Sequence, residues 1–344
     1  MEQKTKKHTG VRRGLLCAVY GLILALVLGA VQTVLCGAGN AKNRRSFYHL
    51  PRNSVDLLLV GSSNMFCTVD PVQLYDEFGL LSYDFGSSSQ MLDMSLLYLQ
   101  EAFKYQQPRV VAIEVLKTYE DAEDPNWDLG KSYHWGYPTL KFSPEKLHSI
   151  LHLCRIRQEN PLDYLFPGVA QHTRWREVQW ADVAALLPTG QPVDPMLGFV
   201  PLDGVEPIAP DYEREGQSVI PASNVHWYRE ISALCREHGA QVVWFRAPFE
   251  TWTRAQAQPI QDLVEQMGDQ WLDLNVYMDE IGLDPAQDFY NMGHLNREGA
   301  AKATRFMGRY ILDRYDLPRQ HAPERDSVWR WASQEAAKGR TPGR

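Results

Sequence analysis

Cysteine is scarce in this sequence: five in 344 residues, at positions 17, 36, 67, 154 and 235. Two of them fall in or beside one apolar run, and the other three show neither a disulfide framework nor zinc-ligand spacing. Basic excess is lacking too. A net charge of -7 excludes an ordinary nucleic-acid groove, which needs a positive field. The chain has no internal repeats and no Gly-x-Ser-x-Gly elbow, so the usual α/β-hydrolase pattern is ruled out. His148 and His152 stand four apart, but the Ser-Ile-Leu between them lacks the glutamate of a metalloprotease helix. The acidic stretch from Glu120 to Asp124 lacks the alternating ligand spacing of a calcium loop. Neither a metal nor any other cofactor is expected.

What is present begins with residues 15–36, an apolar run broken only by Gln32 and Thr33. Its length suits a membrane-spanning helix. Lys4, Lys6, Lys7, Arg12 and Arg13 precede it, against Lys42, Arg44 and Arg45 after it. The charge bias predicts a cytoplasmic N-terminus and a main domain outside the cytoplasmic membrane. No small-x-small cleavage site or lipobox accompanies the run, so an uncleaved single-pass anchor is expected. The expected organisation is a basic N-terminus (1–13), an anchor (14–36), a linker (37–54), a main domain (55–317) and a flexible polar tail (318–344).

Within the main domain, apolar runs and amphipathic stretches alternate. Strands are expected at 55–60, 81–85, 109–116, 241–246 and 271–274. Helices are expected at 71–78, 90–104, 225–238, 255–267 and 296–315, with Gly239 ending one of them and Asn296 capping another. This alternation predicts an α/β domain with a mainly parallel sheet covered on both faces. Residues 117–224 interrupt the pattern as an insertion, with one helix near 143–158 and Pro- and Trp-rich sequence after it.

Two short motifs carry the chemistry. Gly61-Ser62-Ser63-Asn64 directly follows the first apolar strand, and His294 stands in Asn291-Met292-Gly293-His294-Leu295-Asn296 before the last helix. Ligand sites in open α/β sheets form at the carboxyl ends of the strands. A serine there is a weak nucleophile until a base takes its proton, and His294 is the candidate base. A third group must orient the imidazole. Asp288 is expected to do so, with Asn291 as the alternative. Gly86, after the second strand, lets backbone approach a substrate closely, and its N–H with that of Ser63 would serve an oxyanion.

Strand, Gly-x-Ser, a second strand ending in Gly, and a terminal His-Leu-Asn before Gly299-Ala300 resemble the SGNH/GDSL hydrolase superfamily. The chain is more similar to its membrane-anchored bacterial branch, which includes teichoic-acid D-alanylation proteins of the DltD type and relatives of the alginate-acetylation proteins. The resemblance covers roughly 54–117 and 225–315 and excludes the insertion. It implies a flavodoxin-like three-layer α/β/α fold, a Ser63 nucleophile, a His294 base and a Gly86 oxyanion donor. Two departures stand out. The Gly-x-Asn-Asp block is missing, with Val110-Val111-Ala112-Ile113-Glu114-Val115 in its place, which leaves Asn64 as the side chain to consider for the oxyanion. The Asp-x-x-His pattern reads Asn291-x-x-His294.

The expectation is an extracytoplasmic serine esterase or acyltransferase acting on O-acyl groups of a cell-envelope polymer, a glycan or a teichoic-acid-like chain. A membrane-bound acyltransferase is the protein partner this implies. The competing expectation is a catalytically weak scaffold of the same fold that binds such a polymer or partner membrane proteins. His134-Trp135 and Arg174-Trp175 pair aromatics with cations, which suits polymer binding. The competing reading is that these tryptophans pin the insertion onto the sheet.

Overall fold

A computed structural model describes residues 2–36, 46–129, 132–166 and 193–340, with positions 168, 175–176, 178, 180 and 183 between them. Helix α1 (Glu2–Cys36) contains a 20-residue apolar segment, Arg12–Val31, none of it buried against the rest of the chain. At 1.5 Å rise per residue such a segment matches the roughly 30 Å apolar thickness of a bilayer. By length and composition it suits a membrane anchor or a signal sequence.

The remaining elements follow in the expected alternation. They are β1 (Leu57–Val60), α2 (Ser63–Phe66), α3 (Pro71–Phe78), β2 (Ser82–Asp84), α4 (Leu92–Ala102) and β3 (Val110–Glu114). The insertion then contributes α5 (Ser132–Gly136), α6 (Pro144–Arg157) and α7 (Pro161–Leu165). The second half holds α8 (Ala222–Glu237), β4 (Gln241–Arg246), α9 (Arg254–Met267), β5 (Gln270–Asp273) and α10 (Met278–Ile281). A short antiparallel pair, β6 (Phe289–Asn291) and β7 (His294–Leu295), leads into α11 (Arg297–Arg314), and α12 (Ser327–Arg340) follows.

Strands β1 to β5 form one parallel sheet in the order β2-β1-β3-β4-β5. Strand side chains alternate between faces, so a sheet covered twice needs apolar residues at every position. Leu58, Val60, Val111, Ile113, Val242 and Trp244 enter one core with Leu97 of α4, Ile231 of α8 and Ile260 of α9. Leu57, Leu59, Val110, Ala112, Val243 and Phe245 enter the other with Ala300, Ala303, Met307 and Ile311 of α11. The order reverses between β1 and β3, and that reversal opens a crevice at the carboxyl ends of these two strands.

Local chemistry fixes the helix ends. The Asp70 carboxylate accepts the Val72 and Gln73 N–H groups at the start of α3, and Gly79 ends that helix at φ 74°. Asn296 caps α11 by accepting the Gly299 N–H at 3.0 Å. Each such cap contributes about 1 kcal/mol.

One segment departs from expectation. The segment read as a flexible tail is folded through residue 340. Trp329 of α12 is fully buried and donates its indole N–H to the Ser82 carbonyl at 2.8 Å, while Arg325 pairs with buried Asp56 at 2.6 Å. Trp329 and Ala332 in the core, with Val328 and Trp331 packed beside them, hold the helix, and the Arg325–Asp56 pair ties down the segment before it. Residues 197–212 form an extended strap along the carboxyl edge. The strap meets Asp84 N–H through the Leu197 carbonyl, Phe66 O through Val200 N–H, Arg297 N–H through the Leu202 carbonyl and Phe289 O through Glu206 N–H, all at 2.7–3.0 Å.

Candidate active site

Ser63 sits in the turn between β1 and α2, and the backbone there is tightly constrained. Gly61 adopts φ 153°, and a Cβ at that position would run into the Cβ of Glu114 on the neighbouring strand. Only glycine lets the chain turn so close to β3. Ser62 caps α2 and leaves Ser63 as the first helical residue, half-buried at the crevice. The N–H of a first helical residue has no intrahelical acceptor. Gly86 lies against the same turn, since a Cβ on it would collide with the Gly61 carbonyl oxygen. Among the described residues, neither Ser63 N–H nor Gly86 N–H makes a hydrogen bond.

His294 arrives from the other end of the chain. Its Nε2 lies 2.8 Å from Ser63 Oγ, across 231 residues of sequence. Its Nδ1 lies 3.0 Å from Asn291 Oδ1. Asn291 and His294 are register partners in the β6–β7 pair, which puts their side chains on one face. Asn291 Oδ1 also accepts the Gly293 N–H at 2.9 Å. A group that accepts from a backbone N–H is the amide oxygen, so Nδ1 carries the ring proton and Nε2 presents its lone pair to Ser63. Burial, and secondarily the Arg246 cation, hold the His294 pKa below its ordinary 6.5.

The carboxylate expected to orient the ring is elsewhere. Asp288 accepts Lys302 Nζ at 2.6 Å and the Asp284 N–H at 2.6 Å, so it ties α11 to the loop before β6. The reason is local. Asp288 lies before the β6–β7 pair, whereas Asn291 lies within it opposite the histidine. Asn64 is also not at the oxyanion position. Its Nδ2 donates to the Gly293 carbonyl and its Oδ1 faces Arg246 Nη1 at 3.5 Å, with the side chain fully buried. It links the serine turn to the histidine loop.

Of the residues read as polymer contacts, His134 stacks on Tyr164 at 4.7 Å and lines a cavity of about 380 Å³ inside the insertion, with Asp128, Arg157, Glu159 and Asp163. That residue set is distinct from the one around Ser63. Trp135 is 43% exposed. Arg174 lies outside the described residues.

Two buried charges at the strand ends carry weight that the sequence reading did not give them. Glu114 ends β3 and Arg246 ends β4, and they pair at 3.1 Å with neither side chain reaching solvent. Glu114 also accepts Ser62 Oγ at 2.6 Å and the Leu116 N–H at 2.7 Å. The Arg246 guanidinium lies 4.8 Å from the Phe249 ring centre and 4.6 Å from that of Trp252. Burial pushes the Glu114 carboxyl up and the Arg246 guanidinium down from their ordinary values, each partly offset by the partner. The signal was present in sequence: opposite charges closing two otherwise apolar buried strands.

Among the described residues, no group of three or more His, Cys, Asp or Glu side chains is placed to hold a metal ion. Cys67, Cys154 and Cys235 are free thiols. What the arrangement offers is a hydroxyl with an imidazole at hydrogen-bond distance whose Nε2 lone pair faces it, and two N–H groups at the same turn, of Ser63 and Gly86, that make no hydrogen bond among the described residues. No protein-family model matches this chain, and no curated protein sequence matches it significantly.

Proposed function

We propose that this chain is a membrane-anchored serine esterase or acyltransferase of the SGNH/GDSL type, acting outside the cytoplasmic membrane on O-acyl groups of a cell-envelope polymer. The 2.8 Å approach of Ser63 Oγ to His294 Nε2, at the switch point of a sheet ordered β2-β1-β3-β4-β5, carries the reading. Support for the anchor is the apolar helix α1 with its basic flank. Support for the polymer is the resemblance in the serine and histidine motifs.

In this reading Ser63 Oγ attacks the acyl carbonyl while His294 Nε2 takes its proton. The carbonyl oxygen, now negative, accepts the Ser63 and Gly86 N–H groups. Collapse breaks the ester bond, and His294 returns the proton to the leaving alcohol. Water or a polymer hydroxyl then gives its proton to His294 and attacks the acyl-serine; collapse breaks the serine ester, releases the acyl product and returns the proton from His294 to Ser63 Oγ. Asn291 holds the ring but brings no negative charge to stabilise the imidazolium, so the base is weaker than one backed by a carboxylate.

That neutral amide also motivates the second reading, a scaffold of the same fold that binds or delivers the polymer with little turnover. A fluorophosphonate probe on the purified full chain separates the two. The enzyme reading expects covalent labelling of wild type, none in Ser63→Ala, and strong reduction in His294→Ala. Absence of labelling and of ester hydrolysis in protein with an intact thermal transition would overturn it and leave the scaffold.

A further inference from the structure

The buried polar groups beneath Ser63 and His294 form one connected line. Ser62 Oγ donates to Glu114 Oε2 at 2.6 Å, and Arg246 Nη1 donates to Glu114 Oε1 at 3.1 Å. The same Nη1 faces Asn64 Oδ1 at 3.5 Å, and Asn64 Nδ2 donates to the Gly293 carbonyl. The line starts next to Ser63 and ends next to His294. Ser62, Asn64, Glu114 and Arg246 are all buried. Two further donors of Arg246, Nε and Nη2, have no hydrogen-bond partner among the described residues. A buried, incompletely paired guanidinium is costly, and packing alone would favour an apolar residue there.

We propose that Glu114 and Arg246 act together as a positioning unit for the nucleophile–base pair: Glu114 holds the serine turn through Ser62, and Arg246 holds the histidine loop through Asn64. This rests on the esterase reading of Ser63 and His294. Neither residue reaches the reacting atoms, so each acts through its neighbour. The arrangement has an electrostatic consequence with a definite sign. Arg246 is the charge that lowers the imidazole's pKa, after burial, and Glu114 is the carboxylate paired with that charge. Other ionisable groups around this network include Asp273 beside Arg246, Glu250 (whose N–H meets the Met292 carbonyl), Asp288, and Arg297, Glu298 and Lys302 of α11. Lys302 occupies Asp288, and the Asp203 carboxylate occupies Arg297.

The test is a pH titration of His294 in the full chain, read from carbon-13-labelled histidine by NMR and assigned with His294→Gln. Glu114→Gln leaves the Arg246 cation unopposed, so the midpoint is expected to fall below that of wild type. Arg246→Met removes the cation, so the midpoint is expected to rise. Each shift should be about half a pH unit or more. Because Arg246→Met leaves a buried carboxyl unpaired, the neutral double variant Glu114→Gln/Arg246→Met serves as a folded control, and its midpoint is also expected to rise. Fluorophosphonate labelling of the same variants should slow at every pH through lost placement. Midpoints that move together, or stay put, would overturn the positioning unit even if wild type is labelled. A wild type that takes no label but shows the opposed midpoints would instead sink the esterase reading and leave the coupling standing.

Discussion

The serine arm and the histidine arm of this site are built in different ways. Ser63 projects from the end of a central strand whose four residues are all buried and whose neighbours pair on both sides. His294 projects from a two-residue strand paired only with β6, outside the main sheet. The first arm is fixed by the core. The second is fixed by ties: Asn291 on its ring, Asn64 on the Gly293 carbonyl, Glu250 N–H on the Met292 carbonyl, and the strap through Phe289 and Arg297. The serine turn tolerates little change, while the histidine on its hairpin is only as well placed as its fastenings.

Perturbations that strike one arm should therefore read out differently from those that strike the other. The largest effect on chemistry is expected from His294→Ala, a fall in labelling rate of roughly 10²–10⁴-fold, the usual contribution of a positioned base, with thermal unfolding little changed. Gly61→Ala strikes the serine arm and should lose stability and labelling together. The substitution forces a Cβ into Glu114 at a positive φ, so the expected loss exceeds about 1 kcal/mol by denaturant titration. Asn291→Ala strikes the histidine arm alone. Labelling should slow by up to about 10²-fold with no matching loss of stability, because a misplaced ring costs rate rather than fold. Asp288→Asn should do much less to labelling, and the reverse ranking would return Asp288 to the orienting role.

The pH dependence sharpens the contrast further. His294 accepts a proton only when neutral, and its pKa is held below 6.5, first by burial and then by Arg246. Labelling should thus be flat at neutral pH and fall only as pH drops through a midpoint below 6.5. Asn291→Asp places a negative charge on Nδ1–H and should move that midpoint upward. The smallest effect is expected from Arg297→Ala. It removes an exposed pair with Asp203 but leaves the main-chain bond to Leu202, and should change stability by less than about 1 kcal/mol.

Much of the sheet was legible because parallel, doubly covered strands leave an unmistakable apolar signature. Residues 241–246 and the helix at 71–78 fall where the pattern put them, and the other expected strands and helices differ by a few residues at their ends, while short elements such as α2, α5, α7 and α10 had no counterpart in the pattern. The Ser63 and His294 motifs were legible because strand ends and helix starts are marked by glycine and asparagine. What stayed hidden depends on distant partners. The β6–β7 pair is too short to show alternation, so nothing in sequence set Asn291 opposite His294 and Asp288 outside. Helix α12 reads as a solvated tail because one residue, Trp329, supplies its main anchor in the core. Glu114 and Arg246 lie 132 residues apart, and only the register of β3 with β4 brings them together.

The strap has a consequence for how such a protein changes over time. It grips both arms through peptide groups, which every residue but proline supplies in full, so exposed positions such as Val205 and Glu206 can be rewritten without loosening the clasp. The strap's exposed side chains can accordingly change while the serine turn and the histidine loop it joins are inherited intact.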